Sequence, residues 1–134
     1  MHDIDDIFVA RLMSTDLHTV TPDTLVEAAA ATLLDNEISS VLVVESDRLL
    51  GILTSTDFVE IVARSQPKAE TTVERYMTTD PVTATAQDPV SAVAATMIER
   101  GIHHVPVVDD GVPIGIITTS DLAAYVSGTE PLSP

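Results

Sequence analysis

Gly51-Ile-Leu-Thr-Ser-Thr-Asp57 recurs 64 residues later as Gly115-Ile-Ile-Thr-Thr-Ser-Asp121, each time closing a β-rich run and opening a helix-forming one. Working outward from this pair, residues 9–58 align with 73–122 without a gap, and 20 of the 50 positions are identical. The lead-in matches as well as the motif does. Val9, Arg11, Met13, Thr15, Asp16, Thr19 and Thr21 return as Val73, Arg75, Met77, Thr79, Asp80, Thr83 and Thr85. Ile38, Val41, Val43 and Val44 return as Ile102, Val105, Val107 and Val108. Two copies of one unit imply a pseudo-dimer; a solenoid needs three or more.

Each copy reads as βαββα with a short helical lead-in that ends at Met13 or Met77, followed by a brief extended stretch around Thr19 or Thr83. A longer helix comes next. Thr24 and Glu27 have capping-box spacing, Pro89 suits the start of the second copy's helix, and the helices are expected to end near Asn36 and Gly101. Two β-rich runs then form a hairpin, 41–45 with 49–54 around Ser46-Asp47-Arg48, and 105–109 with 113–118 around Asp110-Gly111. A last helix starts at Ser55 or Thr119. The expected division is residues 1–66 for the first domain with its lead-in helix, 67–70 for a linker in the Pro67-containing stretch 65–70, 71–127 for the second domain, and 128–134 for a tail of disorder-prone composition without an effector domain.

The long helices are apolar on more than one face: Leu25, Val26, Ala28 to Ala31, Leu33 and Leu34 in one, Val90, Val93 to Ala95, Met97 and Ile98 in the other. A chain of 134 residues has too little interior to bury both faces of both helices, so a homodimer built on helices is expected.

Composition excludes several functions. Six Lys and Arg stand against 21 Asp and Glu, a formal charge of −15, and Lys68 is the only lysine. No basic stripe exists to release counterions from DNA or RNA, so nucleic acid is not an expected partner. The acidity fits either plain solubility or a salty cytoplasm, where self-repulsion is screened within about 3 Å at 1 M salt. A halophilic setting is the expectation. There is no cysteine, no long apolar run and no export signal, so no membrane or disulfide is expected and a cytoplasmic location is the default.

No enzyme motif is present. The chain lacks a Gly-x-Ser-x-Gly elbow, a cysteine nucleophile, a His-Glu-x-x-His pair and a phosphate-cradling glycine loop among its five glycines. A metal site from His103, His104, Asp109 and Asp110 matches no ligand spacing. The Thr and Asp of the doubled heptapeptide admit two readings: a capping box made for the helix itself, at about 1 kcal/mol, or a hydroxyl and a carboxylate presented at a helix start to ribose hydroxyls. Both can hold together.

The doubled Val-x-Arg-x-Met-(Ser/Thr)-Thr-Asp lead-in, the Ile102-His103-His104-Val105-Pro106-Val107-Val108 strand and the doubled Gly-Ile-x-Thr-x-x-Asp resemble tandem cystathionine-β-synthase (CBS) domains over nearly the whole chain. The resemblance implies an α+β (α/β-like) fold: two tandem βαββα CBS repeats packed sheet to sheet as a pseudo-twofold pair, a Bateman module with two clefts. It also implies a non-catalytic regulatory role, no required cofactor, and an adenosine nucleotide as regulatory ligand. The family's candidates are AMP, ADP, ATP and S-adenosylmethionine, and an effector protein the sequence does not identify would receive the signal. Carried over residue by residue, one cleft would join Thr54 and Asp57 to Val82, Thr83, Ile102, His103, His104 and Pro106. The other would join Thr118 and Asp121 to Thr19, Val20, Ser39 and Ser40.

Those clefts are unequal, because the first copy has only Ser39 and Ser40 where family members that bind AMP tightly place a His and an Arg. On a strand, the neighbours His103 and His104 would point to opposite faces, so at most one would touch a given phosphate; Arg100 is the other cation within reach. With four aromatic residues, Phe8, Phe58, Tyr76 and Tyr125, a base would be sandwiched mainly by Val, Ile and Pro. The charge of −15 favours AMP or ADP over free ATP. The alternative is a purely structural dimerisation module that keeps Thr and Asp as caps and binds no nucleotide.

Overall fold

The computed structural model describes residues 7–63 and 71–128. The linker expected at 67–70 and the tail after Gly128 lie outside the described residues. Along the chain come α1 (Val9–Leu12), β1 (Thr19–Val20), α2 (Val26–Asn36), β2 (Ser40–Glu45), β3 (Arg48–Thr54), α3 (Ser55–Ala63), α4 (Val73–Tyr76), β4 (Thr78–Thr79), α5 (Val90–Arg100), β5 (His104–Asp109), β6 (Val112–Thr118) and α6 (Thr119–Ser127). Both hairpins, both long helices and both closing helices are where the repeat predicts them.

The chain folds into two units whose limits cut across the repeats. One unit is Leu17–Pro81; the other combines Met1–Asp16 with Val82–Pro134. Each is thus the body of one repeat completed by the lead-in of the other.

In the Leu17–Pro81 unit the sheet order is β1-β2-β3-β4. β1 runs parallel to β2, with Thr19 opposite Leu42, and β4 lies antiparallel to β3, with Gly51 opposite Thr79. The β2–β3 turn is Ser46-Asp47, with φ of 52° and 65°. Two successive positive φ values match the twist of a two-residue hairpin. The pairing shifts between Val43 and Val44, a bulge that leaves Leu50 unpaired between Leu49 and Gly51. Val41, Val43 and Leu53, alternate on their strands, meet Ala29 and Leu33 of α2, Val20 of β1 and Val73 of α4 in one buried cluster.

The other unit repeats this plan. β5 pairs with β6 around Asp110-Gly111 with the same bulge, and the flanking strands shrink to single bridges, Ala84 parallel to Val107 and Ser14 antiparallel to Ile116. The extended stretch expected at Thr83 is therefore a bridge one residue later. Its core joins Val105, Val107 and Ile117 to Val90, Val93 and Met97 of α5, and to Ile7, Val9 and Leu12 of the lead-in.

The lead-ins also start the long helices, which corrects the capping box expected at Thr24 and Glu27. The N-cap of α2 is Leu25, and no side chain caps it. The amide of Val26 donates to the Thr71 carbonyl (3.0 Å), and Val73 N–H donates back to the Thr24 carbonyl (2.8 Å). The equivalent pair starts α5, Val90 N–H to Ile7 (2.8 Å) and Val9 N–H to Asp88 (2.9 Å). A helix start needs partners for its free amides. Here backbone 45 residues or more away in sequence supplies one, so Thr24 is released to bond Thr21 N–H (3.1 Å).

The same arrangement explains why glycine and methionine recur together. A Cβ on Gly51 would sit 2.6 Å from the Thr78 carbonyl oxygen and 2.9 Å from Met77 Sδ; on Gly115 it would sit 2.6 Å from Met13 Sδ and 3.0 Å from the Ser14 carbonyl oxygen. Each lead-in methionine lies across the motif glycine of its unit, and only glycine allows that approach.

Candidate functional site

The doubled motif sits where β3 runs into α3 and β6 into α6. In the second copy the cap is complete: Thr118 N–H and hydroxyl donate to Asp121 Oδ2 (2.8 and 3.1 Å), and Asp121 N–H donates to Thr118 Oγ1 (3.3 Å). In the first copy Thr54 N–H and hydroxyl reach Asp57 Oδ2 at 2.7 and 3.2 Å. All four residues are half-buried. In both copies the cap occupies Oδ2 alone; among the described residues Oδ1 of Asp57 and of Asp121 accepts no hydrogen bond. The capping and ligand readings are thus compatible, because the cap orients the carboxylate and leaves one oxygen open.

Beside each junction lies the start of the neighbouring strand. Ser40 is opposite Thr54, and the Ser39 carbonyl accepts from Ser55 N–H (2.9 Å) and its hydroxyl (3.3 Å). His104 is opposite Thr118, and the His103 carbonyl accepts from Thr119 N–H (3.0 Å). Within one unit the fold therefore gathers Thr19, Val20, Ser39, Ser40, Thr54 and Asp57; within the other it gathers Val82, Thr83, Ile102, His103, His104, Pro106, Thr118 and Asp121. Each unit brings a Thr–Asp junction next to the strand start that the family resemblance assigns to the opposite cleft.

The residues differ in what they can offer. Thr19 and Thr83 are exposed, Val82 half-buried, and Val20 and Pro106 buried. The Pro106 carbonyl accepts from Ala84 N–H (2.9 Å), tying the 82–84 stretch to β5. Ile102 packs on the core, its N–H closing α5 onto the Met97 carbonyl (3.1 Å). His103 is exposed and precedes β5 in a bend, so strand alternation does not govern its direction; His104, half-buried, is the first strand residue. Arg100 is exposed in the last turn of α5. The metal grouping weighed from sequence is ruled out by length. Asp109 ends the strand that His104 begins, a separation of roughly 17 Å at strand rise.

One cavity adds residues that the motif reading did not single out. It has a volume of about 70 Å³ and is lined by Val82, Asp88, Ala92, Val93, Thr96 and Val105. Asp88 accepts from Thr85 N–H and hydroxyl, both at 2.9 Å. The signal for it in the sequence was the Thr85-x-x-Asp88 spacing, one of two further Thr-x-x-Asp pairs beside the doubled motif, the other being Thr32-x-x-Asp35 inside a helix-forming run.

Comparison with known proteins follows the repeat. The family model for the CBS domain matches twice, at residues 9–64 and 73–128. An uncharacterized 17.7 kDa protein of Acidianus ambivalens is 30% identical over 86% of this chain and 70% of its own. A homoserine O-acetyltransferase of Methanohalobium evestigatum is 29% identical over 89% of this chain, which spans only 24% of that enzyme. Among solved structures, the CBS domain pair of protein MJ0100, in complex with 5'-methylthioadenosine and S-adenosyl-L-methionine, superposes with a TM-score of 0.84 at 30% identity, over 90% of this chain and 99% of that one. No helix among the described residues is long and apolar enough to cross a membrane.

Proposed function

Because the chain belongs to the CBS-domain family, we propose that it is a non-catalytic regulatory module that senses an adenosine-containing ligand and passes the signal to an effector protein in the cytoplasm. The observation that carries this reading is the open Oδ1 at Asp57 and Asp121, beside a cap that already orients each carboxylate. A ribose offers hydroxyl donors to such an acceptor, and a charge-assisted hydrogen bond is roughly twice as strong as a neutral one. The related MJ0100 domain pair, with its two adenosine-derived ligands, supports the ligand class. AMP or ADP is favoured over ATP or S-adenosylmethionine, and His103, His104 and Arg100 are the groups assigned to phosphate. Val82, Thr83, Ile102, Pro106, Thr19, Val20, Ser39 and Ser40 are assigned to the walls around base and sugar.

A structural dimerisation module is the second reading, and exposed apolar side chains favour it. Leu34 is 79% exposed on α2, Val59 and Val62 68% and 70% on α3, Ile98 82% on α5 and Val126 76% on α6. Covering these faces with a second copy fits both readings, and a homodimer through helices is part of the proposal.

Titration calorimetry of AMP, ADP, ATP, S-adenosylmethionine and 5'-methylthioadenosine separates the two. The sensor reading expects a ligand whose binding is lost in Asp57→Asn or Asp121→Asn, with melting temperature nearly retained. A folded dimer that takes up none of the five leaves the structural reading. Binding unchanged in both variants refutes the assignment of the two carboxylates.

A further inference from the structure

We propose that Asp88 reads the amine-bearing edge of the ligand's base, so that the cavity beside Val82 selects a 6-aminopurine over a 6-oxopurine. The inference rests on the adenosine reading above and adds to it a residue and a mechanism of base choice. Four of the lining residues, Val82, Ala92, Val93 and Val105, are apolar. The polar side chains are Asp88 and Thr96. The Thr96 hydroxyl hydrogen is spent on the Ala92 carbonyl (3.1 Å). Asp88 accepts one hydrogen bond at each oxygen from Thr85, and each carboxylate oxygen has capacity for a second. What these side chains can still offer is acceptors, and no donor.

An acceptor-only wall beside apolar side chains discriminates by chemistry. The exocyclic amine of adenine donates to it. Approached on the N7 side of the ring, the 6-oxo group of hypoxanthine or guanine would set a carbonyl oxygen against a carboxylate with no hydrogen between them, their N1–H lying on the far side of that oxygen. The size agrees: about 70 Å³ is far below the roughly 300 Å³ of a pocket that swallows a whole ligand, and suits one edge of a ring. The other unit differs. At the positions matching Val82, Asp88, Ala92 and Thr96 it has His18, Thr24, Ala28 and Thr32, and its carboxylate is displaced by one residue to Asp23, which accepts from the Thr21 hydroxyl.

The test is calorimetric titration of the full chain with AMP and with IMP, which carries an oxo group in place of the 6-amine and a hydrogen on N1. Wild type is expected to prefer AMP by about ten- to a hundredfold, the scale of one hydrogen bond to a charged acceptor. Asp88→Asn keeps an oxygen for Thr85 N–H and adds an amide donor, so the ratio should fall to near unity or invert. Ala92→Leu fills the cavity from an exposed helix position and should weaken AMP about tenfold or more at unchanged melting temperature. Equal binding of AMP and IMP by wild type overturns the proposal while the adenosine reading stands. So does a folded Asp88→Asn or Ala92→Leu that binds as wild type does. No binding of AMP or any other adenosine compound overturns both readings.

Discussion

Replacing Gly51 and Gly115 with alanine tests the packing of the lead-ins, because the two sites differ in what blocks the new methyl group. Neither glycine has a positive φ. In open space alanine would therefore stabilise either site by about 0.4–1 kcal/mol through the unfolded chain. At Gly51 the obstacle is backbone, the Thr78 oxygen at 2.6 Å. Relief requires moving β4 off β3, which weakens the pairing of Gly51 with Thr79 and Ile52 with Thr78. Overpacking of this kind costs about 1–3 kcal/mol, and a weakened backbone hydrogen bond about 1 kcal/mol more, so the expected loss is about 2–3 kcal/mol. At Gly115 the nearest atoms are Sδ and Cγ of Met13, at 2.6 and 3.0 Å, with the Ser14 carbonyl oxygen also at 3.0 Å, 0.4 Å farther than the backbone oxygen that blocks Gly51. An unbranched thioether can turn aside, and the expected loss is about 1–2 kcal/mol.

The distinction sharpens in a double-mutant cycle. Met13→Ala removes the main obstacle at Gly115, so Gly115→Ala should cost about 1 kcal/mol less in that background. Met77→Ala leaves the Thr78 oxygen in place and should rescue Gly51→Ala far less. Urea unfolding followed by far-ultraviolet circular dichroism at fixed salt measures all six variants and the wild type. Stabilisation by Gly51→Ala, or equal rescue at both sites, would refute the reasoning.

Three further outcomes are expected. Glu37 ends α2 in the left-handed region at φ 54°, where Gly101 ends α5 at 64°; Glu37→Gly should stabilise by about 0.5–1 kcal/mol, with Gly101→Glu opposite in sign, in urea titrations. A peptide of residues 17–81 contains its own β4 and Val73, so its amide spectrum should be better dispersed than that of residues 1–66, which lacks both. With 21 acidic against six basic side chains, the melting temperature should rise between 0.1 and 2 M KCl as repulsion is screened, and a flat or falling response would remove the halophilic reading.

The sequence by itself determined the elements, because their causes are local. Alternating apolar residues make the hairpins, Ser46-Asp47 and Asp110-Gly111 make their turns, and Thr118 with Asp121 caps α6 through bonds that span three residues. The duplicated Thr–Asp junction and its candidate role were legible for the same reason. Only the tertiary structure decided which lead-in completes which unit. Repetition hides the answer: Met13 and Met77 stand in identical contexts, as do Gly51 and Gly115, so either pairing satisfies the pattern. The structure sets Met13 over Gly115, 102 residues on, and Met77 over Gly51. The start of α2 was misread by the same logic, since its amide partner at Thr71 is invisible to any window around Thr24. Asp88 became a candidate only when folding put it beside Val82, Thr96 and Val105 at one cavity. Short-range hydrogen bonding and periodicity are written along the chain, whereas steric exclusion and shared cavities exist only once distant segments meet.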